Sequence, residues 1–170
     1  MNVLAPWIEY FVAQAGTAAA LTGLIFVALS FNLDHVIGDE TWLNRAASGL
    51  IMLAQPIVYA LVALWPTRTG APVGWTITGL AVLFSAIVIR LVLSAPSRMG
   101  TSGELAVRLT ISVAQSTATA VGGVLIAANL GAGVFLVATG ALLGLGIGLI
   151  TAWALLVEVR RAAQGRPPAG

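Results

Sequence analysis

An all-α fold, a polytopic bundle of about five transmembrane helices, is predicted by three features of this 170-residue sequence. Fifty-nine per cent of it is hydrophobic and only 8% charged, a balance too apolar for a water-soluble domain of this size. Its mean hydropathy is +0.99. The apolar residues also fall into five runs, each long enough to cross a hydrocarbon core of about 30 Å, which takes ~20 helical residues. Helix is required in each run because lipid offers the backbone no hydrogen-bond partner.

The first run extends from about Trp7 to Leu33 and ends in the polar, acidic stretch Asp34 to Thr41. The second, Leu43 to Trp65, closes on a turn around Pro66, Gly70 and Pro72, and the third, Val73 to Leu93, on another around Pro96, Gly100 and Gly103. The fourth, Leu105 to Leu130, meets the fifth, Gly133 to Val157, through a glycine-rich corner, which predicts an antiparallel hairpin or, alternatively, a re-entrant pair. Residues 1–160 therefore read as one membrane domain. Residues 161–170 read as a short disordered cytoplasmic tail.

All eight cations are arginine. With five spans, one side receives only Arg68, and the other receives Arg45, Arg90, Arg98, Arg108, Arg160, Arg161 and Arg166. The positive-inside rule then puts the N-terminus outside and the C-terminus in the cytoplasm. Trp7, Trp65 and Trp75 fall at outer span ends and Trp42 and Trp153 at inner ones, as an interfacial aromatic belt requires. Glu9 and the lack of a basic residue before it disfavour a cleavable signal peptide. Eight scattered arginines form no nucleic-acid-binding face.

The stretch from Phe11 through Gln14, Gly16, Thr17, Leu21, Gly23, Phe26 and Ala28, followed by Ser30, Asn32, Leu33, Gly38, Asp39, Asn44, Arg45 and Ala46, resembles a group of small multi-pass membrane proteins common in actinobacteria. Some of that group carry a label as modulators of an FtsH-type membrane protease. The resemblance covers about the first quarter of the chain and implies the bacterial inner (cytoplasmic) membrane as its location. On physical grounds, Ala13, Gly16, Ala20, Gly23, Val27 and Ser30 recur every three or four residues and make a small-residue face, which predicts close packing with another helix.

The fourth span is the most polar. Arg108, Ser112, Gln115, Thr119, Gly122, Ile126 and Asn129 follow a 4-3-4-3-4-3 spacing that keeps them on one helical face. Such a stripe must be satisfied by another helix, a polar ligand or water. It reads as an interhelical polar seam or as the wall of a narrow aqueous path in an oligomer. In the fifth span Gly140, Gly144 and Gly148 form a double small-xxx-small pattern for backbone contact, while Leu145 beside them is expected to face lipid. In the second span Gln55 and Pro56 sit near mid-membrane, where proline frees an upstream carbonyl and predicts a kink.

Chemistry is otherwise sparse. The chain has no cysteine and one histidine. Asp34, His35, Asp39 and Glu40 near Arg45 fit no established zinc spacing and read as a solvated loop, so neither metal nor cofactor is expected. No phosphate loop, metalloprotease motif, nucleophile elbow or buried charge pair occurs, which disfavours an enzyme. Two functions stand. One is a multi-pass protein that acts through helix-helix association, as a homo-oligomer or accessory subunit of a membrane complex. The other is an oligomeric channel or small-solute pore lined by the fourth span. A reporter fused to the C-terminus is expected to be active in the cytoplasm, and one active only outside rejects the assigned topology.

Overall fold

The computed structural model describes residues 3–30, 40–66, 69–94 and 102–164. Among these every regular element is helical: a 3₁₀ turn at Ala5–Trp7, then α1 (Ile8–Ser30), α2 (Glu40–Ala63), α3 (Ala71–Ser94), α4 (Ser102–Ala127) and α5 (Ala132–Gln164). Five segments are long and apolar enough to cross a membrane. The chain is a multi-pass membrane protein. Helices α4 and α5 both reach spanning length, so they form a transmembrane hairpin.

Helices α2, α3, α4 and α5 close a ring in which each touches the next, and α1 lies outside it against α2, with a smaller contact to α5. The most enclosed helix is α2, with 61% of its span buried against 17% for α3. Trp7 ties the start of α1 to the start of α5 by an edge-on contact with Phe135 at 4.6 Å. Tyr10 donates from its hydroxyl to the Ala138 carbonyl at 3.3 Å. Trp65, Trp75 and Trp153 point outward near span ends, where an indole anchors at the interface; the Trp42 side chain lies outside the described residues.

Between α4 and α5 the chain turns within a few residues. The amide of Asn129 donates to the Ile126 carbonyl at 2.9 Å and that of Leu130 to the Leu125 carbonyl at 2.8 Å, the paired bonds of a Schellman cap. Asn129 is the left-handed residue of that cap, with φ of 59°, a conformation Asn tolerates better than other side-chain-bearing residues. The sequence placed Asn129 on the polar face of the fourth span. Helix α4 instead ends at Ala127, and Asn129 is exposed in the corner. At the other end of α5 the helix runs to Gln164, so residues 161–164 belong to it and not to a disordered tail. Residues 165–170 lie outside the described residues.

Neighbouring backbones approach closely at glycine. A Cβ placed on Gly123 would lie 2.7 Å from the Gly74 carbonyl oxygen of α3, and one on Gly122 would lie 2.8 Å from the Gly133 carbonyl oxygen of α5. These consecutive glycines therefore serve two different neighbours. The Thr78 hydroxyl lies against Gly123 as well, and Val137 and Leu136 against Gly122, but the two carbonyls are backbone and cannot swing aside, so a methyl group there forces the helices apart. Gly123→Ala and Gly133→Ala are each expected to destabilise the bundle by about 1–3 kcal/mol, the usual cost of overpacking. Gly146 is exposed with nothing within 4 Å of its Cβ position, so Gly146→Ala is expected to be neutral or mildly stabilising. Unfolding titrations in mixed micelles read the difference.

Candidate functional site

The polar face of α4 turns into its own bundle. Ser112, Gln115 and Thr119 are buried, with 7%, 3% and 1% exposure. Thr119 donates to the Gln115 carbonyl at 3.0 Å, the local bond that satisfies a helical hydroxyl. Arg108 lies one turn before Ser112 in α4, and its side chain is outside the described residues.

What this face meets is the glycine row of α5. A Cβ on Gly140 would collide with the Thr119 hydroxyl, and one on Gly144 with the Gln115 amide nitrogen. The two stripes singled out on separate spans are thus each other's partners: the missing side chains of α5 make the recess that the polar side chains of α4 fill. Gly148 continues the row but faces α2, where its Cβ position lies 2.7 Å from Leu53 Cγ. Leu145 is buried at 8% exposure in the cluster with Leu53 and Ala152, which corrects its expected lipid-facing position. Leu142 and Leu143 are the outward leucines of that turn.

Below Gln115 a cavity of about 60 Å³ lies inside the four-helix ring. Ser48 of α2 and Ser112 of α4 supply its hydroxyls, and Met52, Val88 and Ile147 are among its apolar walls. Gln55 stands on the same face of α2 as Ser48 and Met52, and it is 3% exposed. Polar groups from two helices therefore converge on the middle of the bundle, in a space with room for water.

Pro56 is buried inside α2. Its carbonyl accepts a hydrogen bond from Gln14 Nε2 of α1 at 2.8 Å, and Gln14 Oε1 is buried without a partner. This bond stitches α1 to the ring beside the proline. Sequence reasoning missed Gln14 as a structural residue. The signal was available: an amide in an apolar run, in helical phase with Phe11 and Ala18, both fully buried.

The small face of α1 lies elsewhere. Ala13, Gly16, Ala20, Gly23, Val27 and Ser30 are all exposed, and no atom comes within 4 Å of a Cβ built on Gly16 or Gly23. Helix α1 instead packs on the ring through Phe11, Gln14, Ala18, Ile25 and Leu29. Among the described residues no group of three or more His, Cys, Asp or Glu is placed to hold a metal ion. The loop containing Asp34, His35 and Asp39 lies outside the described residues, as does the Glu40 side chain.

Gly144→Ala is expected to lower stability by about 1–2 kcal/mol because the new methyl displaces the Gln115 amide. In the double variant with Gln115→Ala most of that loss should vanish, since residues in contact couple. A thermal or denaturant double-mutant cycle measures this, and additive effects would show that the two residues do not share the recess. Leu143→Ala, on the outward face, serves as the near-neutral control.

No family model, curated protein or solved structure matches the chain.

Proposed function

We propose that this chain acts through helix-helix association in the bacterial cytoplasmic membrane, with α1 as its docking helix and a second copy of the chain as the partner. The N-terminus is then outside and the C-terminus cytoplasmic, as the arginine distribution requires. The observation that supports this reading is the outward small-residue face of α1. Elsewhere, Gly74, Gly122, Gly123, Gly133, Gly140, Gly144 and Gly148 are occupied by contacts inside the subunit. The α1 row exposes a comparably smooth backbone and leaves it uncovered. In lipid, where apolar surface gives helices no mutual drive, close backbone approach is the main source of association.

The pore reading draws on the cavity beside Ser112. Because Ser112, Gln115 and Thr119 point into their own bundle, such a path would run within one subunit and not between subunits.

The test is native mass in lipid nanodiscs or mild detergent. The wild-type protein is expected to run as an oligomer of the 17.4 kDa chain, and the Gly16→Leu, Gly23→Leu double variant as a monomer. The subunit fold should persist in the variant, because open space surrounds both positions. A monomeric wild-type protein, or a variant that remains fully assembled, rejects α1 as the self-docking helix. Since the chain has no cysteine, Ala20→Cys provides a clean second readout: oxidation in the membrane should yield a disulfide-linked dimer, and Phe26→Cys, off the small face, should not.

A further inference from the structure

We propose that the cavity beside Ser112 is a dead-end water site, which admits water from the membrane face on which α2 and α4 begin and lets none across. All four ring helices of one subunit wall it, with Met52 on α2, Val88 on α3, Ser112 on α4 and Ile147 on α5. The inference therefore does not rest on self-association through α1. Volume selects the occupant. A space of about 60 Å³ matches the liquid share of two water molecules at ~30 Å³ each, and is under half of the ~150 Å³ in which an apolar cavity takes up benzene. No lining side chain is charged, so no charge there offsets the dehydration of an ion.

The lining also needs a partner. Ser112 is more than nine-tenths buried, lines the cavity and has no hydrogen-bond partner among the described residues. Thr17, Thr110 and Thr139 lack one too, but they are exposed on the outside of the bundle. A buried hydroxyl left unpaired is unfavourable, and water supplies both a donor and an acceptor. Ser48 brings a second hydroxyl to the wall, whose two lone pairs accept even when its own proton is engaged. Met52 lines the same space, and its carbonyl is the one that Pro56 leaves without a helical donor. Two hydroxyls and a freed carbonyl on the lining residues fall within the two to four polar partners that a buried water requires.

One end of the cavity lies at the membrane boundary. Ser48 is two residues inside the α2 span, which begins at Ala46, and Ser112 three inside the α4 span, which begins at Leu109. Val92, also on the wall, is one residue from the end of the α3 span at Leu93. The other end is shut. Tyr59 of α2, Val73 and Ile77 of α3, Ile126 of α4 and Val134 and Val137 of α5 are at most 1% exposed and belong to one apolar cluster. The backbone contacts of Gly123 with Gly74 and of Gly122 with Gly133 close the same half of the ring. A file of water would have to cross this packed apolar plug.

Water-to-methyl magnetisation transfer tests the site in the full-length protein, deuterated except for labelled Ile, Leu, Val and Met methyl groups, in nanodiscs of deuterated lipid. Transfer is expected at Met52 and Ile147 on the cavity wall. None is expected at Ile77 and Val137 inside the plug or at Leu143 and Ile150 on the lipid face. Ser112→Val removes the hydroxyl and fills the space, so transfer to Met52 and Ile147 should be lost while the Ile77 and Val137 resonances keep their positions. Vesicles carrying the protein should shrink in hyperosmotic buffer no faster than protein-free vesicles. Absence of transfer at Met52 and Ile147 in the wild-type protein overturns the proposal whether or not the variant folds. Resonances there that shift under xenon without receiving water magnetisation mark a dry cavity and overturn it as well. Unchanged transfer in Ser112→Val overturns the assignment to this cavity. Transfer at Ile77 or Val137 equal to that at Met52, or faster shrinkage with the protein present, overturns the dead end.

Discussion

The bundle depends on a pair of consecutive glycines. Gly122 and Gly123 stand about 100° apart on α4, so one lies against α5 and the other against α3. Soluble helices are pressed together by water. In lipid that pressure is absent, and helices stay in contact only where their backbones come close enough for dense packing and interhelical hydrogen bonds. The pair fixes α4 between its neighbours near one end of the membrane. It thereby sets the direction of every other side chain on that helix: Ser112, Gln115 and Thr119 must turn toward α5 and the interior, while Ser116 and Thr117 come to the α3 side.

A second consequence is a core divided in two. Phe11, Tyr59, Ile77, Ile126 and Val137 belong to one apolar cluster, and Ala18, Leu53, Leu145 and Ala152 to another. Along α1 the change from one cluster to the other occurs at Gln14, along α2 at Gln55 and Pro56, and along α5 over the Gly140–Gly144 turn. A layer of buried amides, Gln14, Gln55 and Gln115, thus crosses the bundle. Pro56 lacks an N–H, which frees the Met52 carbonyl one turn earlier, whereas Gln14 bonds a different acceptor, the carbonyl of Pro56 itself, from α1. Replacing Gln14 by Leu would remove that bond but also the orphaned Oε1, so the net effect on stability should be smaller than the bond alone indicates.

Length and hydropathy made all five helices legible, because a bilayer imposes one minimum length on every span. Helical periodicity likewise identified the α4 polar face and the α5 glycine row. It could not say where a face points. For a soluble protein the apolar side is the inner side, but a membrane helix has an apolar exterior as well. The small face of α1 and the row of α5 look alike in sequence, yet one is uncovered and the other packed. Leu145 and Leu143 are similarly indistinguishable by hydropathy, and only the fold makes one core and the other lipid-facing. Asn129 failed for a different reason. Its place in the 4-3 spacing was correct for a helix that continued, whereas the following Gly131 and Gly133 and the left-handed conformation of Asn129 itself end α4 first.

Counting polar residues in a span therefore overstates its chemistry. A helical serine or threonine that donates to its own backbone, as Thr22 and Thr76 do, has spent its donor and can sit near lipid at little cost. Thr78 goes further, lying within hydrogen-bond distance of the carbonyls of both Gly74 on its own helix and Ala120 on α4, and so joins two helices at the head of the groove between them. Beyond that bond Ser85, Ser116 and Thr117 line the gap between α3 and α4. The same residue type acts as packing filler or interhelical link according to how closely the neighbouring backbone approaches. That spacing is set by Gly74 and Gly123, which themselves carry no polar side chain at all.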